Sequence, residues 1–142
     1  MANLVPVAGS VKKLTNNVQT LSQKVSEGVT ISPGDLIIKG PDGAVLAVND
    51  TIQSADLNKS RSGIAVSGGV SEKNVDFVDR AGTEIELGIS VTPNEWFAVS
   101  ATGGKIAPLG DLSSGQAVQY VGYGNKEGKF VYYPVKTNET LT

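Results

Sequence analysis

The chain has 142 residues, a net charge of −2 and neither cysteine nor histidine. That length suits one domain, or one domain with an appendage. The missing residue types exclude disulfides, thiolate catalysis and Cys-ligated metal, and they remove the usual general base and the commonest metal ligand near pH 7. Its lysines and arginines form no basic cluster, so binding to nucleic acid through phosphates has no electrostatic footprint.

Met1 to Gly9 reads as an extended arm, because Pro6 and Gly9 both oppose helix. Its apolar residues Leu4, Val5 and Val7 have no evident core to enter, so a partner covers them or the arm tucks along its own β-domain. Met1-Ala2-Asn3 offers no charged n-region and no apolar h-region follows, so no secretion signal is expected. No apolar run approaches the roughly 20 residues of a membrane helix, so no membrane partner is expected.

From Val11 the apolar residues Val11, Leu14, Val18, Leu21 and Val25 recur at spacings of 3, 4, 3 and 4, with only polar residues between them. This is an a/d stripe with Val at a and Leu at d. It predicts one amphipathic α-helix over Val11–Glu27, with Ser10 as N-cap and Gly28 just beyond its C-terminus. A lone helix of this length is marginal in water, so it needs a neighbour. Two neighbours compete. Identical helices of several subunits could meet along the stripe, giving a homo-oligomer, trimer first and dimer second. Alternatively the stripe lies on the chain's own β-domain or on a partner's surface.

Beyond Gly28 the period changes to two, or to short apolar runs. Strands are expected at Asp35–Lys39, Ala44–Val48, Ser62–Ser67, Val75–Val78, Glu84–Val91, Trp96–Val99, Ile106–Leu109, Gln116–Tyr123 and Lys129–Val135. Turn residues separate them, such as Gly40-Pro41-Asp42-Gly43 and Gly103-Gly104. Asn49 to Arg61 and Gly110 to Gly115 read as loops, and Lys136 to Thr142 as a frayed polar tail. The expected fold is mainly β: a compact antiparallel sandwich or barrel-like domain over 29–142, preceded by an arm and one helix over 1–28.

Few groupings point to chemistry. Glu84 and Glu86 are two apart and share a strand face, near Asp76 and Asp79 in sequence. Paired carboxylates can serve as acid and base or hold a hard cation. Their alternation with Ile85 and Leu87 is also what a half-buried strand with a solvated face shows, and that reading is preferred. The glycine pairs lack a phosphate-loop frame, since Lys105 is followed by Ile106. No serine has a histidine partner or an elbow motif. Trp96, Tyr120, Tyr123, Tyr132 and Tyr133 suit core and sheet-face packing, or a sugar-stacking platform. No catalytic residue, metal or cofactor is expected.

The run Glu95-Trp96-Phe97-Ala98-Val99-Ser100-Ala101-Thr102-Gly103-Gly104-Lys105-Ile106-Ala107-Pro108, followed by Gly115-Gln116-Ala117-Val118-Gln119-Tyr120-Val121-Gly122, is similar to small β-domains of tailed-phage virion proteins. Ile31-Ser32-Pro33-Gly34-Asp35-Leu36-Ile37 resembles the opening of the capsid decoration (cement) group, and Arg61-Ser62-Gly63-Ile64-Ala65-Val66 resembles one of its strands. The matches span roughly Ile31 to Val135. The resemblance implies a β-fold and a structural role on the outer surface of a phage head, with the major capsid protein as partner and no catalytic residues. Binding to the shell is then expected to draw on Leu4, Val5, Val7, Val11, Leu14, Val18, Leu21 and Val25, acting with one face of the β-domain. The alternative is a trimeric fibre or spike module that binds a host surface or carbohydrate. Cement copies that bind the assembled shell and not free subunits stabilise it by mass action.

Overall fold

The computed structural model describes residues 3–15, 18–40, 43–47, 62–70, 73–100, 103–108 and 117–140. Among them lie eleven strands: β1 Lys12–Lys13, β2 Leu21–Lys24, β3 Leu36–Gly40, β4 Gly43–Leu46, β5 Ser62–Ala65, β6 Asn74–Val78, β7 Thr83–Glu86, β8 Trp96–Val99, β9 Ile106–Pro108, β10 Ala117–Gly124 and β11 Phe130–Thr140. They form two antiparallel sheets, six-stranded β1-β7-β11-β10-β8-β9 and five-stranded β2-β6-β5-β3-β4. The fold is mainly β and sandwich-like, as the nine runs after Gly28 predict; each overlaps one of β3 to β11. The loop expected at Asn49 to Arg61, the loop at Gly110 to Gly115 and the central Pro41-Asp42 of the first turn lie outside the described residues.

The helix expected over Val11–Glu27 does not form. Lys12–Lys13 pairs with β7, Lys12 opposite Glu86, and Leu21–Lys24 pairs with β6, Leu21 opposite Phe77. The physical reason is the competition between weak local preference and strong tertiary pairing. Thr, Ser and the β-branched valines are poor helix formers, and so are Asn16 and Asn17, which lie outside the described residues. Two strands' worth of hydrogen bonds, together with burial of Val11, Val18 and Val25, outweigh what a solitary helix of four turns offers. Two smaller corrections follow. β7 ends at Glu86 rather than continuing to Val91, and the backbone from Lys136 to Thr140 is not frayed but continues β11, with Thr140 opposite Ala117.

The five-stranded sheet buries both faces. Leu36, Ile38, Ile64 and Val78 face the six-stranded sheet and pack with its Ile85, Phe97, Phe130 and Tyr132. Ile37, Ala65, Val75 and Phe77 point the other way and form a second cluster with Val25, Ile31 and Ala44. That second cluster exists because the sheet curls: a parallel bridge joins Val25 to Ala44, and the Ser26 N–H donates to the Ala44 carbonyl at 3.1 Å. The two outermost strands thereby meet, and the sheet approaches a small barrel. Each fully buried aliphatic or aromatic side chain contributes about 1.5–3 kcal/mol.

Three fastenings hold the two sheets in register. The Tyr132 hydroxyl on β11 shares a buried hydrogen bond with the Ser62 hydroxyl on β5. The Gly103-Gly104 turn docks on the other sheet, with the Leu36 N–H donating to the Gly104 carbonyl at 2.8 Å and the Gly104 N–H to the Ala47 carbonyl at 2.7 Å. Asp35, buried, accepts from the Ser32 N–H at 2.9 Å and from Lys105 at 3.2 Å.

Residues 3–7 run as a strap over the sandwich. The Leu4 N–H donates to Ile106 and the Val7 N–H to Leu87, both at 2.8 Å. Asn3 accepts from the Ser100 hydroxyl at 2.7 Å. Pro6 packs on Gly34, whose φ is +92° and where a Cβ would lie 2.6 Å from the proline ring, so glycine is the residue that fits.

Candidate functional site

The outward face of the six-stranded sheet carries the distinctive side chains. Strand register aligns Glu84, Val131, Tyr123 and Trp96 in one cross-strand row over β7, β11, β10 and β8. Directly opposed residues project to the same side. The inward row beside it holds Thr83, Tyr132 and Phe97, all buried, so the first row faces out. Tyr133 joins it two residues after Val131.

Tyr120 joins it by a different route. On a regular strand, positions 120 and 123 point to opposite faces. In β10 the register shifts between Tyr120 and Gly122 against both neighbouring strands. A bulge of this kind re-aims a side chain, and here it brings both tyrosines to one surface. Gly122 makes it feasible: a Cβ there would lie 2.0 Å from the Val131 carbonyl oxygen.

The rings form one cluster around Trp96. Its centroid lies 5.4 Å from Tyr120, 4.9 Å from Tyr123 and 6.5 Å from Tyr133, and Tyr123 and Tyr133 are 6.5 Å apart. Edge-on and tilted geometries at these separations suit the ring quadrupoles. Trp96 remains 38% exposed and Tyr133 45% exposed, while Tyr120 and Tyr123 are half-buried. Tyr132 is separate, fully buried, and burial pushes its phenol well above the ordinary tyrosine range.

A polar border lies on the β7 side. Asn125, in the turn between β10 and β11, donates to Glu84 at 2.9 Å, and Lys129 pairs with Glu86 at 2.5 Å. The Lys129 hydrogen bond, and after it the Gly88 N–H at 2.9 Å, hold the Glu86 carboxyl below the usual range. Beyond Glu86 opens a shallow cavity of about 560 Å³, lined among others by Ser10, Lys12, Ser90 and Lys129. Glu84 and Glu86 thus share a surface face, as their spacing predicts, and each has a polar partner. No group of three or more His, Cys, Asp or Glu able to hold a metal occurs among the described residues. Among the same residues no helix is long and apolar enough to cross a membrane.

The residues expected to bind a partner are dispersed. Val11, Val18 and Val25 are buried in the chain's own clusters. Leu4 packs partly on the first cluster and Leu21 on the second. Leu14 is half-buried, with its N–H donating to the Glu84 carbonyl at 2.8 Å. Val5 and Val7 remain outside, 71% and 50% exposed. The sequence groups the five aromatics but not by face: Tyr132 turns inward, and the bulge that aligns Tyr120 with Tyr123 has only Gly122 as its signal. Asn125 and Lys129 carry no motif; their turn position beside β7 follows from strand order.

Comparison of the chain with protein-family models, with curated proteins and with solved structures found no match.

Proposed function

We propose that this chain is a structural protein of a tailed-phage virion, a decoration or cement protein that binds the outer surface of the head, contacts the major capsid protein and stabilises the shell. What supports this is the order of decoration-like motifs from Ile31 to Val135, and above all the strap. Val5 and Val7 keep exposed apolar surface, Val7 with one side against Gly88, while the Leu4 and Val7 N–H groups and the Pro6 ring fasten their segment to the domain. An apolar ridge held in place has little entropy left to lose on binding. Covering what remains exposed of each valine contributes about 1–2 kcal/mol, and an oligomer gripping several shell subunits multiplies weak contacts through effective concentration. The homo-oligomer, trimer first and dimer second, belongs to the same proposal. Its seam is not the valine stripe, since Val11, Val18 and Val25 lie inside the chain.

The test is the double variant Val5→Asp/Val7→Asp on purified heads of the phage that carries the protein. Both positions are exposed, so the isolated variant keeps its melting point within the range of surface substitutions. Retention on heads drops by about a hundredfold or more per contact, and the heads lose their added thermal stability. Full retention with unchanged shell melting overturns the proposal.

A further inference from the structure

We propose that the outward face of the six-stranded sheet is a binding platform for an uncharged oligosaccharide, with pyranose rings stacked on Trp96 and Tyr133 and hydroxyls held along Glu84, Asn125, Glu86 and Lys129. This stands independently of the shell-binding role, which uses the strap.

The rings have the right character. The C–H bonds on one face of a pyranose carry partial positive charge and meet the negative face of an aromatic ring favourably. Trp96 and Tyr133 retain exposed area, and Tyr120 and Tyr123 brace Trp96 from beside it. The platform is built on hydrogen-bonded strands, so it is rigid before any ligand arrives. Every aromatic in it also carries a polar tip able to donate to a sugar oxygen.

The border has the right chemistry too. Glu84 with Asn125 and Glu86 with Lys129 form two fixed pairs of acceptors and donors, which suits ligands made of vicinal hydroxyls. From β8 to β7 the row spans three strand spacings, about 14 Å, the reach of a short oligosaccharide rather than one sugar. The cavity beyond Glu86 lies beside this border and shares Glu86 and Lys129 with it. Bases of single-stranded nucleic acid also stack on aromatics, but charge argues against a polyanion here. Lys129 is occupied by Glu86, Lys12 lies opposite Glu86 in register, and Glu84 adds another carboxylate.

Trp96 is the single tryptophan, so intrinsic fluorescence reports on the platform directly. The intact chain is titrated with neutral hexasaccharides built of glucose, N-acetylglucosamine, mannose or galactose, and with a single-stranded DNA and dextran sulfate. Saturable change in Trp96 emission is expected with at least one neutral sugar and with neither polyanion. Calorimetry with that sugar, at a temperature where every variant is folded, is expected to show at least tenfold weaker binding for Trp96→Ala and for Tyr133→Ala, and weaker binding for Glu84→Gln. Val5→Asp/Val7→Asp is expected to bind the sugar normally, which separates this site from the strap. No response to any neutral hexasaccharide, a response to the polyanions alone, or sugar binding unaffected by Trp96→Ala overturns the proposal.

Discussion

Tyr132 and Tyr133 are neighbours in the chain and sit in opposite environments, one fully buried between the sheets and the other 45% exposed on the aromatic platform. Alternation along β11 alone separates them. Tyr132→Phe removes the hydroxyl that Ser62 uses and leaves a buried polar atom unpaired, which costs about 1–3 kcal/mol. Urea unfolding is expected to show that loss with an unchanged slope, and Ser62→Ala added to Tyr132→Phe to restore part of it. Tyr133→Ala, by contrast, loses only two surface ring contacts, with Trp96 and Tyr123, and is expected to cost about 1 kcal/mol. Tyr132 also sets an alkaline limit. Burial raises its folded pKa, while the unfolded chain releases that proton near pH 10. Above that value the unfolded state binds fewer protons than the native one, so stability falls as pH rises. Tyr132→Phe is expected to flatten that decline in unfolding measured across the alkaline range; an equally steep decline in the variant excludes Tyr132 as its source.

At the scale of elements, the strands were legible where a run of apolar and β-branched residues ended in a glycine turn, as at Leu36-Ile37-Ile38 and Trp96-Phe97-Ala98-Val99. The segment from Val11 to Val25 was misleading for a physical reason. Three valines at multiples of seven match a heptad, yet Val11 and Val18 fall beside β1 and in the connection after it, and Val25 at the bridge to Ala44. Their burial is imposed by strands far along the chain, which no local window contains. The platform was half legible for the same reason: its residues are visible as aromatics, but the shift in β10 that unites them depends on pairing with β8 and β11. Two substitutions test these elements. Gly122→Ala drives a methyl into the Val131 carbonyl and is expected to cost about 3 kcal/mol, with weakened packing around Trp96 seen as a red-shifted emission. Val25→Ala opens the second cluster and is expected to cost about 2 kcal/mol without changing the far-ultraviolet circular dichroism, which is dominated by β-structure. Loss of a helical signal in that variant excludes the strand assignment.

At the scale of the whole molecule, the proposed role makes the strap the place where stability and binding are divided. Its inward side is structural: Leu4 packs on the main core, Pro6 fills the space at Gly34, and the Asn3, Leu4 and Val7 hydrogen bonds join it to Ser100 after β8, Ile106 in β9 and Leu87 after β7. Its outward side is Val5 and Val7. Deleting residues 1–7 therefore removes two things together, and a loss of shell binding by that truncation does not identify which side of the strap acts. The truncation is expected to lower unfolding stability by about 3 kcal/mol, from Leu4 burial and the lost backbone hydrogen bonds. Val5→Asp/Val7→Asp is expected to leave stability unchanged and to remove retention on heads. Denaturant unfolding of both proteins beside a head co-sedimentation measurement separates the two roles. A truncated chain as stable as the intact one shows that the strap is not part of the folded core, and the apolar side chains of Leu4, Val5 and Val7 then act together as a free arm.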